Sequence, residues 1–220
     1  MKVDRRHENR GRPGGGVTAL AGVTRTLTKE ELKQFLLTSK KIGKKFDLMF
    51  SLIFYYALRA GECAALKLAD FRMVDQGEGA RQVVVIKGLK GGRVIEPPVP
   101  AEITEKLIGW LKQRKHLPHA DKNPWLFPSR TKQLTAPTTA EGIKAAFRKV
   151  AKTAGIEGRH SVHDLRHTRA QFMALDGLPL VKIASWLRHT SVDSSARYVH
   201  PLEMAALADT MERSWEELLK

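Results

Sequence analysis

The sequence predicts a mainly α-helical domain with one small antiparallel β-sheet. Three observations carry this. Helix-start signatures, a Ser or Thr followed three residues on by an acid, recur before segments of helical apolar spacing. The apolar stretch FDLMFSLIFYYAL at 46–58 is longer than a common strand. The helical pattern breaks once, at RQVVVIKGLKGGRVIEP, where β-branched residues flank a glycine-rich turn.

In chain order, residues 1–24 are polar, basic and then glycine-rich, and read as a flexible arm or linker. Residues 25–220 read as one domain. Thr28 and Glu31 form a capping box ahead of Leu32, Phe35 and Leu36, which share a helix face. Residues 46–58 are read as a buried helix. Val83–Ile86 and Arg93–Ile95 are read as two short strands, and Pro97, Pro98 and Pro100 end the sheet region. Ile103, Leu107, Ile108 and Leu111 recur at helical spacing, and Trp125-Leu126-Phe127 is read as a core plug. Thr138 with Glu141 opens a helix containing Ala145, Phe147 and Val150, with Gly155 beyond its end. Ser161 and Asp164 cap a helix running to about Leu175 and stopped near Gly177; Pro179 leads into VKIASWL. After Pro201, Met204, Leu207, Met211, Trp215 and Leu218 form one stripe of a final helix.

Charge narrows the function. Lys+Arg number 38 against 23 Asp+Glu, a net +15 over 220 residues. Such a surface attracts polyanions, nucleic acid before anionic membrane, and argues against an enzyme for cationic substrates. The last 20 residues carry five acids and two bases, so the excess belongs to the arm and body. The single cysteine, Cys63, excludes an internal disulfide framework and a thiolate metal cluster, and its apolar neighbours predict packing. The N-terminal stretch lacks the apolar region of a signal peptide, and the longest apolar run is too short to span a membrane. A cytoplasmic, nucleoid-associated protein follows as the expectation.

Four polar clusters could carry chemistry. HSVHDLRHTRA places His163 and Arg166 on one helix face; His163 and His167 alone are too few ligands for a metal. Arg59 follows the long apolar run and must pair with an acid or face an anion, with Glu62 three residues on. Lys87, Lys90 and Arg93 lie around a glycine-rich turn able to approach a phosphate backbone. Tyr198 lies in a polar stretch between Arg197 and His200, unlike Tyr55 and Tyr56 in the apolar run.

Together these clusters resemble the catalytic domain of the tyrosine recombinases, or phage integrases, over about residues 26–215. ALRAGECAALKLADF resembles the first arginine box, VVVIKGLKGGRV the β-hairpin lysine segment, HDLRHTRA the His-x-x-Arg box, and WLRHTSVDSSARYVHP the box ending at the nucleophile. Their order is the specific part, with 23 residues from Arg166 to His189 and nine from His189 to Tyr198.

The resemblance implies site-specific recombination of double-stranded DNA without ATP, metal or other cofactor. Tyr198 would form a 3′-phosphotyrosine link, Arg59 and Arg166 would clamp the phosphate, and Lys87 would protonate the leaving 5′-oxygen. His163 would act as general base, His189 would donate to a non-bridging oxygen, and Glu62 would accompany Arg59. Lys90, Arg93 and Arg188 are read as DNA contacts; Arg188 stands where the family usually has glycine, and packing at the His189 turn is its other reading. The resemblance further implies a homotetramer on DNA through the C-terminal helix, accessory proteins, and a prokaryotic, phage or mobile-element origin. Only about 25 residues precede the catalytic domain, where most members carry a separate core-binding domain. A DNA-binding regulator without strand exchange and a type IB topoisomerase-like relaxing enzyme are the alternatives.

Overall fold

In a computed structural model of the chain, residues 25–75, 80–88, 93–129 and 135–189 are described. The arm at 1–24, Lys90, Tyr198 and the stripe from Met204 to Leu218 lie outside them.

Helix α1 (Lys29–Ile42) starts at the expected capping box. The Thr28 hydroxyl accepts from the Glu31 amide at 3.1 Å, and Glu31 Oε2 accepts from the Thr28 amide at 2.8 Å. Thr28→Ala is expected to cost about 1 kcal/mol, and so lower the melting temperature by roughly 2–4 °C in thermal denaturation.

Helix α2 (Lys44–Tyr55) is the buried apolar helix, with Asp47 through Ile53 all inside. Its one buried acid, Asp47, accepts from Lys106 Nζ at 2.6 Å. Phe35 of α1 and Phe50 of α2 meet edge to face at 5.1 Å between centroids, and Phe147 closes the group at 4.9 Å from Phe35. Phe147 belongs to α5 (Ala140–Thr153), so this trio fastens three helices into one core.

Between α2 and the next long helix lie α3 (Ala60–Ala64), a 3-10 turn at Leu68–Asp70 and the β region. Strand β1 (Phe71–Asp75) pairs antiparallel with β2 (Ala80–Val84), and β3 (Ile86–Lys87) with β4 (Val94–Ile95). The expected strand Val83–Ile86 is divided between β2 and β3, and β1 was not foreseen. Among the described residues the small antiparallel β region consists of two two-stranded pairs. Pro98 still takes part, bridging Val83, because the bridge's bonds run from the Val84 amide to the Pro97 carbonyl at 3.0 Å and from the Val99 amide to the Gln82 carbonyl at 2.8 Å, and need no amide from Pro98.

Helix α4 (Ala101–Arg114) begins after Pro100 and buries Ile103, Leu107 and Trp110. Ile108, expected on that stripe, is exposed; Trp110 takes its place, and its indole N–H donates to the Leu126 carbonyl at 2.9 Å. Leu126 and Phe127 plug the core as expected, while Trp125 stays partly exposed beneath Lys67. Thr139, one residue after the expected Thr138, caps α5 by accepting from the Gly142 amide. Helices α6 (Val162–Leu175) and α7 (Leu180–Trp186) complete the described fold, α6 with the expected Ser161–Asp164 capping box.

Four helices end alike. After each, an amide bonds back across five residues and the one before it across three, the double hydrogen bond of a Schellman end. Its turning residue needs positive φ. After α5 and α6 that residue is Gly155 (φ 70°) and Gly177 (φ 74°), but after α2 and α7 it is Ala57 (φ 49°) and Arg188 (φ 54°). A side chain in that region costs about 1 kcal/mol or more.

Candidate active site

The two strained ends meet. Arg188 Nη2 donates to the Ala57 carbonyl at 2.9 Å, and Arg188 Nη1 to the carbonyls of Tyr56 at 3.1 Å and Trp186 at 2.7 Å. Arg166, from the buried face of α6, donates through Nη1 to the same Ala57 carbonyl at 2.6 Å and through Nη2 to Leu187. The α2 terminus and the α7 terminus are thereby tied by two guanidinium groups, each only 1% exposed.

Glu62 organises this cluster. It sits in α3 with 3% exposure, and three arginines converge on it. Its Oε1 accepts from Arg59 Nη1 at 2.9 Å. Its Oε2 accepts from the Arg59 amide and from Arg188 Nη2, each at 2.8 Å, with Arg166 Nη1 3.9 Å away. Burial by itself would raise the Glu62 carboxyl. The charge and hydrogen bond of Arg188, the Arg59 amide and the charge of Arg166 outweigh burial and hold it below the ordinary carboxylate value. Burial likewise lowers the Arg188 guanidinium, against the pull of Glu62.

The other predicted residues among those described differ in depth. Arg59 is the outermost of the three arginines, its side chain 35% exposed. His163 lies one helical turn before Arg166 and is exposed, its ring edge to face with His167 at 4.4 Å. Among the described residues no group of three or more His, Cys, Asp or Glu is placed to hold a metal. His189 directly follows Arg188, its amide donating to Ala184 at 3.0 Å. Lys87 is exposed on β3, its ammonium 3.9 Å from Asp70 Oδ1. Arg93 is exposed at the far side of the same hairpin, its carbonyl accepting from the Gly88 amide.

One expectation is corrected. Arg188 does not face outward as a DNA contact; its guanidinium is inside, bonded to three carbonyls and Glu62. Its packing reading at the His189 turn is the one the geometry supports. Two participants were missed. Asp70 faces Lys87 across the β region, and the Ala57 carbonyl serves both buried arginines. Nothing in an alanine signals positive φ; Asp70 had a local sign, since its carboxylate caps the turn by accepting from the Lys67 amide.

A groove of about 740 Å³ between the start of α2, the end of α4 and the start of α5 shares no lining residue with the arginine cluster. Among the described residues no helix is long and apolar enough to cross a membrane.

The fold is that of the tyrosine recombinase catalytic domains. Solved structures carry the same fold. A XerA recombinase crystal structure matches with TM-score 0.67 and 25% identity, covering 86% of this chain and 65% of that one. A XerH site-specific recombinase bound to palindromic difH substrate, in a post-cleavage complex, matches with TM-score 0.66 and 26% identity over 83% of this chain and 52% of that one. The sequence matches the phage integrase family over residues 25–204, and the chain belongs to that family. Among its relatives are the tyrosine recombinases XerA of Thermococcus onnurineus, 25% identical over 79% of this chain and 57% of its own length, and of Pyrococcus furiosus, 23% identical over 86% and 62%. The chain therefore spans about three-fifths of the length of these relatives.

Proposed function

We propose that this chain cleaves and rejoins double-stranded DNA at specific sites through a 3′-phosphotyrosine intermediate. The observation that carries the reading is the convergence of Arg59 and Arg166 on Glu62, which fixes two permanently charged forks at one place. Attack on a phosphodiester adds negative charge to the non-bridging oxygens. Donors held in advance stabilise that charge without reorganising.

In the proposed step the Tyr198 oxygen bonds to phosphorus and the P–O5′ bond breaks. The phenolic proton passes to His163, and Lys87 supplies a proton to the leaving 5′-oxygen. Arg59, Arg166 and His189 hold the phosphate oxygens. Reversal by the 5′-hydroxyl of a partner strand reseals the duplex, so the phosphodiester energy is conserved and no nucleotide is consumed. Lys90 and Arg93 contact the DNA backbone in this reading. The acidic 201–220 segment is proposed to join four copies on DNA, with accessory proteins as further partners, and residues 1–24 to serve as a basic arm or linker. The working place is the cytoplasmic nucleoid.

The test is covalent capture. The full chain is incubated with a pool of duplexes that have a randomised centre and bridging 5′-phosphorothiolates, whose thiol leaving group does not reseal the strand. A denaturant-resistant protein–DNA adduct of recurring sequence, mapped to Tyr198 by mass spectrometry, is expected. Absence of any adduct sinks the proposal. Relaxation of a supercoiled plasmid lacking the captured sequence favours the topoisomerase alternative.

A further inference from the structure

We infer that Arg188 is a positioning residue for the proposed strand cleavage: from a turn position that α5 and α6 fill with glycine, it fixes Glu62 and the Ala57 carbonyl, and through them Arg59 and Arg166. The inference rests on the recombinase reading above for its chemistry, but its geometry stands alone.

The position itself disfavours a side chain. Arg188 occupies the positive-φ residue of the α7 Schellman end, where α5 and α6 have glycine. A strained arginine there is compensated only by what its guanidinium does. That group forms four hydrogen bonds to three elements: Trp186 at the end of α7, Tyr56 and Ala57 at the end of α2, and Glu62 in α3. Two of these partners are shared with the proposed phosphate-binding arginines. Ala57 O also accepts from Arg166, and Glu62 also holds Arg59 through both its side chain and its amide.

Charge follows the same logic. Glu62 alone would cancel part of the positive field of Arg59 and Arg166. Arg188, 2.8 Å from Glu62 and sealed from water, balances that carboxylate at close range. Arg59 and Arg166 then keep their charge for a phosphate, whose attacked form carries one more negative charge than the ground state. Arg188 also immediately precedes His189, so the same anchor sets where that imidazole leaves the helix.

Arg188→Gly is the decisive variant, because glycine takes the observed φ without strain and the fold is expected to survive. On the duplex captured by the wild-type chain, single-turnover cleavage should fall by about 10²-fold, the scale of a small misplacement, while affinity for that duplex is unchanged. Arg188→Lys, which restores a charge but not the fork, should recover part of the rate. Side-chain ¹⁵N NMR supplies a readout independent of cleavage: the guanidinium protons of Arg59 and Arg166 should exchange with water faster in Arg188→Gly. Unchanged exchange, wild-type cleavage by Arg188→Gly, or equal losses of affinity and rate would each overturn the inference, the last in favour of direct DNA contact. A wild-type chain that captures no duplex overturns the recombinase reading instead, and the NMR comparison still decides whether Arg188 positions the other arginines.

Discussion

Glu62→Ala is expected to destabilise the fold by about 3–5 kcal/mol, the range for breaking a buried ion pair from one side. The residue has no exposed face through which the loss could be relieved. Its removal takes from Arg188 and Arg166, each 1% exposed, the carboxylate that both face. Arg59, at 35% side-chain exposure, can turn to water and contributes less to the penalty. At roughly 2–4 °C per kcal/mol for a chain of this size, the melting temperature should drop on the order of 10 °C. Glu62→Gln keeps an acceptor for the Arg59 amide but loses the charge, so its drop should be smaller.

The pH dependence follows from the direction of the Glu62 shift. Its folded-state value lies below the ordinary one, so the unfolded chain takes up the proton first as pH falls. The stabilisation is full above the unfolded carboxyl value, about 4.3, and is lost as pH falls through the lower folded value. Melting curves of wild type and Glu62→Ala should therefore be far apart near neutrality and draw together on the acid side of about pH 4. A gap that stays constant into acid would show that the carboxylate charge is not what holds the cluster.

What the sequence reveals about this cluster depends on distance along the chain. The caps at Thr28–Glu31 and Ser161–Asp164 were legible because both partners lie within one turn. Gly155 and Gly177 were legible as helix stops because glycine is the usual residue where φ turns positive. The same turn at Ala57 and Arg188 was not, since their compensation comes from partners more than 100 residues away. Arg188 and Glu62 are 126 residues apart, and nothing local distinguishes an arginine bound inward from one facing DNA. Strand β1 was hidden for a related reason. Phe71–Asp75 has no clean alternation, with Arg72, Met73 and Asp75 exposed, and exists through its register with Ala80–Val84. The motif residues Arg59, His163, Arg166 and His189 were found by resemblance, but their depth was not: Arg166 and His163, one turn apart on α6, are respectively buried and exposed.

Tyr198→Phe is expected to abolish the covalent adduct and to leave duplex affinity intact. The substitution removes one oxygen, the one proposed to bond phosphorus, and keeps the ring. Affinity for DNA comes chiefly from basic side chains against phosphates, which the change does not touch. The prediction is sharp because the chain has only three tyrosines. Tyr56 is fully buried, its hydroxyl donates to the Pro98 carbonyl at 2.9 Å, and burial with the neighbouring Tyr55 pushes its phenol above the ordinary value. Its hydroxyl is committed to that carbonyl inside the core. Tyr55 packs edge to face against Tyr56 and Trp186, at 4.9 and 6.3 Å, with the Arg169 guanidinium over its ring. Neither can take over from Tyr198 without unpacking the end of α2, the same segment whose carbonyls hold Arg166 and Arg188. A residual adduct in Tyr198→Phe would move the nucleophile to another residue type altogether, and peptide mapping of that adduct would name it.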